Sequence, residues 1–254
     1  PGAPAATELT VWTWGALILP FIEQGNLHNT LHVSSLPLSA ALATPVGLVA
    51  ATTPLAGFAC PSDAGPPLND FGQQFAGSGD VYPTNSPQFT TYEKKVTPDG
   101  TTRIAIAKSN YIGVASVGDS FTPVGGNFAS YGKPVGVFYW NSNTKFGDIT
   151  DGTSNTALFG ERCYKYKNLF MGAGTVLGCS PALTGYSSRN RAITSALGIP
   201  YWGINQTVLA WQHQSRSFSS THTGGAQFAL CDGSVHFVSD TIDFRGNSIG
   251  GMSS

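Results

Sequence analysis

Charged side chains are scarce in this sequence. Only 11% of the 254 residues are Asp, Glu, Lys or Arg, whereas a typical domain contains about 25%. The 13 basic residues nearly cancel the 14 acidic ones, which leaves a formal net charge of -1. Electrostatic binding to nucleic acid requires a basic stripe, and binding to an anionic membrane surface requires a basic cluster. The composition therefore argues against both of these classes.

Long apolar runs are also missing. The sequence has no stretch of about 18 consecutive apolar residues, so it predicts no membrane-spanning helix, and it shows no secretory signal. Because it begins at Pro1 rather than at Met, we expect a processed or truncated chain. Any targeting segment would then lie upstream of Pro1.

Closely spaced cysteine pairs are absent as well. The four cysteines form no Cys-x-x-Cys motif, which argues against zinc and thioredoxin-type sites; they are Cys60, Cys163, Cys179 and Cys231. Cys163 and Cys179 bracket a short glycine-rich segment and are the first candidates for a disulfide. Four buried free thiols are the alternative, since free cysteine is readily buried.

Glycine and proline, by contrast, are abundant, with 31 and 16 residues, and 41% of the sequence is hydrophobic. This composition excludes disorder and favours a core wrapped in many turns over a helical bundle. We predict one α+β domain over residues 1–254, with an N-terminal helical segment packed on an antiparallel β-sheet. Residues 64–100 and 163–220 are expected to be loop-rich elaborations.

Residues 11–31 carry the one clear helical pattern. Apolar side chains recur there at three- to four-residue spacing, at Trp14, Leu17, Ile18, Phe21 and Ile22. We expect Pro20 to produce a kink or two short helices, and we expect this apolar stripe to face the core. The low-charge segment 33–57 predicts a further short helix.

Strands are predicted where β-forming residues cluster, in segments 102–107, 111–115, 135–140 and 156–159. A hairpin is predicted near the C-terminus, because Asp232-Gly233 lies between two apolar runs. A two-residue type I′ turn would pair Leu230 with Val235, and Phe228 with Phe237. All four of these side chains would then face the core.

Five motifs follow one another along the chain. They are WTWGALILPFIEQGNLHN at 12–29, FACPSD at 58–63, SNYIGVAS at 109–116, FGDITDGTSNTALFGER at 146–162, and His222 followed after nine residues by Asp232-Gly233. Together they resemble a large bacterial family of prepilin-like proteins of unknown function that is abundant in planctomycetes. The resemblance implies a type IV pilin- or pseudopilin-like head, with a prepilin peptidase site and a long hydrophobic helix upstream of this chain. Cys231 departs from the family pattern, which usually has a small apolar residue there.

Two ligand sites are candidates. Asp148, Asp151 and Asn155 surround a glycine turn with oxygen atoms and could hold calcium; turn and capping hydrogen bonds are the alternative interpretation. Trp202 and Trp211 lie in a loop-rich segment and could form a platform for a ligand such as carbohydrate. Core or subunit-interface packing is the alternative for these two side chains.

A catalytic interpretation would depend on His222 and Asp232, which could form a proton relay or bind metal. The sequence contains no Gly-x-Ser-x-Gly nucleophile elbow to accompany them. The alternative is structural, with Asp232 as a turn residue and His222 as an anchor for the loop that enters the hairpin.

The function expected from these observations is structural rather than enzymatic. We expect a subunit of an extracellular pilin-like filament, pseudopilus or surface assembly, with no cofactor unless calcium binds. Its partners would be further copies of itself or other pilus and secretion-apparatus subunits, and the membrane would be reached only through an upstream helix. The alternative is a displayed module that binds carbohydrate or an exported protein, and an extracellular hydrolase is less favoured. The expected location is extracellular or at the cell surface, facing the periplasm before assembly.

Overall fold

The structure, a computed structural model, describes residues 9–69, 94–115, 136–139, 141–167, 169–181, 189–200, 203–207 and 216–242. Its helices are α1 (Trp14–Leu17), α2 (Gly25–Thr30), α3 (Leu38–Leu42) and α4 (Pro45–Ala51). Its strands are β1 (Val11–Trp12), β2 (Lys108–Ser109), β3 (Tyr111–Val114), β4 (Ala157–Glu161), β5 (Lys165–Tyr166), β6 (Leu169–Phe170), β7 (Gly174–Thr175), β8 (Gly178–Cys179), β9 (Leu197–Gly198), β10 (Gly225–Leu230) and β11 (Val235–Ser239). The predicted α+β class is confirmed.

Residues 14–58 form a layer of short helices, which we call the helical layer. The predicted break at Pro20 is confirmed, because α1 gives way there to a 3₁₀ turn at Leu19–Ile22. The segment 33–57 contains two helices, α3 and α4. Thr44 caps α4 by accepting a 3.0 Å hydrogen bond from the Gly47 amide, and Pro45 occupies the first turn, where its missing N–H costs nothing.

The apolar stripe predicted to face the core does so only in part. Leu17, Phe21 and Ile22 are 50%, 85% and 39% exposed, whereas Ala16 and Leu19 are fully buried. A 3₁₀ turn has about three residues per turn, so the turn that begins at Leu19 departs from the 3.6-residue period at Phe21 and Ile22. The prediction of a buried position was wrong for Leu17, Phe21 and Ile22, whereas Trp14 and Ile18 pack against the core as predicted.

The main sheet has five strands in the order β11-β10-β4-β3-β9. Neighbouring strands are antiparallel, except that β3 and β9 are parallel. Three two-stranded ladders, β1-β8, β2-β7 and β5-β6, flank this sheet. The strands predicted at 111–115 and 156–159 are therefore confirmed as β3 and β4.

The other two predicted strands differ from the structure. Segment 102–107 makes only isolated bridges, Val96 with Ile104 and Leu68 with Ala107. Residues 136–139 form no strand, and residues 135 and 140 lie outside the described residues. Within the two loop-rich segments, 70–93, 168, 182–188, 201–202 and 208–215 also lie outside them.

The C-terminal hairpin exists, but its register differs from the predicted one. Ala229 pairs with Val235, and Phe228 with His236. The Gly233 amide donates a 3.0 Å hydrogen bond to the Leu230 carbonyl, and Gly233 has a φ of 86°. This is a three-residue loop, a turn followed by a left-handed glycine, rather than a two-residue type I′ turn. Because of this shift by one residue, Val235 and Phe237 lie on the outer face and are 64% and 48% exposed, while Phe228 remains buried.

Each face of the sheet has its own packing partners. On one face, Phe218 and Phe228 pack so closely over Gly160 that a Cβ atom there would lie 2.5–2.7 Å from their rings. On the other face, Trp14 of the helical layer contacts Phe159, with ring centroids 4.4 Å apart. Glu161 alternates with Gly160 along β4 and so belongs to the side of the helical layer. In the described part of the chain, no helix combines the length and apolar character needed to cross a membrane.

Candidate functional site

The motif segments converge on a buried polar network around Asp63. The Asp63 carboxylate accepts 2.6 Å bonds from the Lys108 ammonium and the Asn110 amide, and a 3.0 Å bond from the Tyr164 backbone N–H. The Asp63 and Lys108 side chains are only 2% and 3% exposed. Burial of this ion pair is tolerated because the remaining acceptor sites of the carboxylate are also used. Asp63 thereby fixes the FACPSD motif against the SNYIGVAS motif and against Tyr164, two residues after the motif at 146–162.

Asn110 extends the same network. Its side-chain oxygen accepts a 3.0 Å hydrogen bond from the Cys60 amide, and its Nδ2 donates to the Arg162 carbonyl at 3.1 Å. The Asn110 main chain bonds both Phe58 and Arg162, at 2.8 Å each. One residue of the SNYIGVAS motif thus joins the motifs on either side of it in the sequence.

Arg162 holds three separate carbonyl groups. Its guanidinium donates to Ser217 at 2.9 Å, to Thr194 at 2.6 Å and to Leu197 at 3.1 Å. The side chain is fully buried, and this burial lowers the pKa of the guanidinium. The planar, fork-like donor geometry suits this role. Arg162 therefore acts as a structural clamp between β9 and the chain that enters β10.

A second cluster lies at the edge of this network, formed by Cys60, Glu161 and His222. The His222 Nε2 atom lies 3.3 Å from the Glu161 Oε1 atom and 3.7 Å from the Cys60 Sγ atom. Glu161 is buried, while the His222 side chain is 38% exposed. Burial raises the pKa of the neighbouring Tyr111 phenol, and the acidic groups of Cys60 and Glu161 raise it further.

His222 and Asp232 do not form the relay considered from the sequence. They lie at opposite ends of β10, which separates them by six residues of strand at about 3.3 Å each. Asp232 accepts hydrogen bonds from the Ser234 amide and hydroxyl, at 2.9 and 2.6 Å, and these bonds lower its pKa. Asp232 and Gly233 are thus turn residues, as in the alternative interpretation, and the acidic partner of His222 is Glu161.

The calcium candidates make capping and turn contacts. The Asp148 carboxylate accepts a 2.8 Å hydrogen bond from the Lys145 amide, and the Asn155 amide donates a 3.0 Å bond to the Asp151 carbonyl. These contacts match the alternative interpretation of turn and capping chemistry. Trp202 and Trp211, the candidate ligand platform, both lie outside the described residues.

The predicted disulfide is not formed. All four cysteines are free thiols, and Cys163 and Cys179 are both buried. Cys163 contacts the Ser219 hydroxyl at 3.3 Å, whereas Cys179 lies on β8, paired with β1. The structure thus shows the alternative of buried thiols for these two residues. Burial raises the pKa of each thiol to about 12.

A family model matches almost the whole chain. Residues 1–245 match the model described as "Protein of unknown function (DUF1559)". The chain therefore belongs to this family, whose function is not established. No curated protein and no solved structure matches the chain.

Sequence reasoning missed Cys60 and Glu161 as parts of a site. Both residues lie inside two of the motifs, FACPSD and the segment ending in GER, but the potential ligands nearest to them in the sequence, Asp63 and Cys163, are not their partners in the cluster. Cys60 and His222 are 162 residues apart in the chain. Spacing rules for zinc sites rely on ligands a few residues apart, so only the fold could bring these three side chains together.

Proposed function

We propose that this protein is a structural subunit of an extracellular pilin-like assembly, and that the helical layer supplies an assembly surface. The supporting observation is the exposed apolar surface of this layer. Phe21, Val46 and Val49 are 85%, 66% and 67% exposed, and Leu17 is 50% exposed. Large apolar side chains at the surface are typical of interaction sites when they occur together in one region.

The distribution of charge supports the same proposal. With a net charge of -1, identical subunits repel one another only weakly when they pack closely. The buried polar network around Asp63, which we call the motif network, comprises Asp63, Lys108, Asn110 and Arg162. Its polar groups are turned inward and bond to one another or to the main chain. The motif residues would then maintain the shape of the head, while the exposed helical layer would make the contacts between subunits.

The assembly surface is tested with Phe21→Ser and Val49→Ser in the full-length protein. Phe146→Ser is the matched control, because Phe146 is 74% exposed but lies in a 3₁₀ turn outside the helical layer. Sedimentation across a range of concentrations and electron microscopy of the cell surface are the measurements. We expect both helical-layer variants to weaken assembly and the control to assemble normally. Equal assembly of all variants would remove the helical layer as the contact surface.

Prepilin processing is tested separately, by mass spectrometry of the N-terminal peptide of the native protein. We expect a methylated N-terminal residue that leads an apolar helix ahead of Pro1. An ordinary secretory cleavage, or a native start at Pro1, would contradict a pilin-like route of assembly.

A displayed binding module is the second candidate, favoured by an apolar groove between the helical layer and the sheet. The groove encloses about 430 Å³ and is lined by aromatic side chains that include Trp14, Phe58, Tyr111 and Phe159. Its lining suits an apolar segment of an exported protein better than a sugar, since few polar groups converge there.

The groove is tested by filling it. A Cβ atom at Gly57, in the groove wall, would meet open space, so Gly57→Leu should narrow the groove without strain. Gly147→Leu is the control, because that position is equally open and lies elsewhere. Loss of binding of an apolar fluorescent dye in Gly57→Leu alone would support the groove as a binding site. Unchanged binding in both variants would exclude it.

A further inference from the structure

We propose that Cys60, Glu161 and His222 form a binding site for a divalent transition metal, with zinc the best match. One ligand atom from each residue lies within 4.8 Å of the other two. Among the residues that the structure describes, this is the one group of three or more His, Cys, Asp and Glu side chains with that arrangement. The site is separate from the proposed assembly surface and does not depend on it.

The distances fit tetrahedral coordination. Zinc bonds are about 2.3 Å to sulfur, 2.0–2.1 Å to histidine nitrogen and 2.0–2.2 Å to carboxylate oxygen. At tetrahedral angles such bonds hold neighbouring ligand atoms about 3.3–3.6 Å apart. The observed separations from His222 Nε2 are 3.3 Å to oxygen and 3.7 Å to sulfur. The third separation, from the Cys60 sulfur to the Glu161 carboxylate, is within 4.8 Å, so the two side chains must approach each other by no more than about 1.5 Å to enclose an ion.

The donor set selects the class of metal. A thiolate and an imidazole are soft or borderline ligands, which suit zinc and similar first-row ions. Calcium and magnesium require mainly oxygen ligands, and only Glu161 supplies one here. The 38% exposure of the His222 side chain provides a path from solvent, which would supply water as a fourth ligand.

A hydrogen bond holds each of the three residues in place, and for Glu161 and Cys60 the partner lies in another segment. The Gln227 amide donates to the Glu161 Oε2 atom at 2.7 Å, so the other carboxylate oxygen is directed towards His222. The Asn110 side chain accepts from the Cys60 amide at 3.0 Å, and the Ser220 hydroxyl accepts from the His222 amide at 2.9 Å. The Gln227 bond reaches the ligating group itself, and such a supporting contact is typical of metal sites.

A Cys-His-Glu catalytic relay fits the geometry less well. In a relay, one ring nitrogen of the histidine faces the nucleophile and the other faces the carboxylate. Here the same atom, His222 Nε2, faces both Cys60 and Glu161. Convergence of both partners on one nitrogen is the arrangement expected around an ion that sits between them.

The test uses the full-length protein, reduced, stripped with a chelator and titrated with Co²⁺ and then Zn²⁺. We expect one Co²⁺ per chain, a thiolate-to-cobalt charge-transfer band, displacement by Zn²⁺, and a higher melting temperature with Zn²⁺. Cys60→Ser, Glu161→Gln and His222→Ala should each weaken binding by at least about 10-fold. Glu161→Gln keeps an oxygen to accept the Gln227 bond, and His222 is partly exposed, so at least these two variants should fold.

Cys231→Ser is the control, because this cysteine lies in the hairpin turn and should leave the cobalt spectrum unchanged. Circular dichroism of each metal-free variant verifies folding. The proposal is overturned if the wild-type protein shows no charge-transfer band, or if His222→Ala binds cobalt as the wild type does. Alkylation of Cys60 that depends on His222, without metal binding, would overturn it in favour of a nucleophilic cysteine.

Discussion

The helical layer and the motif network distribute polarity in opposite ways. The helical layer exposes large apolar side chains, with Phe21 85% and Val49 67% exposed. The motif network buries charged groups, and Lys108 and Arg162 are at most 4% exposed. Burial of an exposed phenylalanine against a partner lowers the free energy of the complex. A buried ion, by contrast, must find its counter-charge and hydrogen-bond partners within the fold. The first region is therefore suited to contacts with other molecules, and the second to fixing one conformation.

The largest effect is expected from Arg162→Met, which would break the network side of this comparison. The substitution leaves carbonyl groups of Ser217 and Leu197 without their guanidinium donor. We expect a loss of about 4 kcal/mol in the free energy of unfolding, measured by urea denaturation. Arg162→Lys should recover only part of it, because an ammonium cannot span three carbonyls. Wild-type stability of Arg162→Met would show that the network is not what holds the fold.

A smaller effect is expected from Leu19→Ala, paired with Phe21→Ala in the same 3₁₀ turn. Leu19 is fully buried, so its truncation to Ala should lower the free energy of unfolding by about 3 kcal/mol. Phe21 is 85% exposed, so its truncation to Ala should lower the free energy of unfolding by less than about 0.5 kcal/mol. Urea denaturation at low protein concentration, where assembly is minimal, measures both. Equal losses would mean that the 3.6-residue stripe faces the core after all.

A pH-dependent effect is expected from Cys179. Burial raises the pKa of this thiol from 9.0 to about 12, so the folded chain keeps a proton that the unfolded chain releases. The resulting stability is complete below pH 9 and is lost as the pH rises from 9 towards 12, at about 1.4 kcal/mol per pH unit. Cys179→Ala should remove this contribution, so its free energy of unfolding should fall less steeply than that of the wild type in urea denaturation at pH 8 to 11. Parallel curves for the two proteins would contradict the assignment.

The smallest effect is expected from Phe237→Thr, which sharpens the assignment of the hairpin register. Phe237 is 48% exposed on the edge strand β11, and threonine keeps a high β propensity. We expect a change within about 0.5 kcal/mol. Phe228→Thr is the control and should cost about 3 kcal/mol or more, because Phe228 is 7% exposed. A large loss in Phe237→Thr would restore the register predicted from the sequence.

Local signals predicted those parts of the fold that depend on local chemistry. Pro20 ended the first helix because it lacks an amide donor. The β-rich segments around Ile112 and Leu158 became neighbouring strands, and Asp232-Gly233 became the turn of a hairpin. The register of that hairpin was not predictable, because two- and three-residue loops use similar residues and differ by one position.

The candidate site was predictable only in part. The motifs that contain Cys60, Asp63, Asn110, Glu161, Arg162 and His222 stood out in the sequence, as parts of five segments in a fixed order. The partners of these side chains did not, since the contacts that the side chains make with one another and with Thr194 and Leu197 join residues at least 32 positions apart. The sequence suggested Asp232, ten residues further along the chain, as the acidic partner of His222. The pairing of β4 with β10 instead places Glu161 beside His222.

The sequence alone determined the α+β class, the break at Pro20, the existence of the hairpin turn and the weak overall charge. These properties depend on composition and on residues within a few positions of one another. Only the tertiary structure decided which apolar residues are exposed, which face of β11 meets solvent, and which side chains surround His222. Those outcomes depend on register and long-range packing, where a shift of one residue reverses the face of a strand.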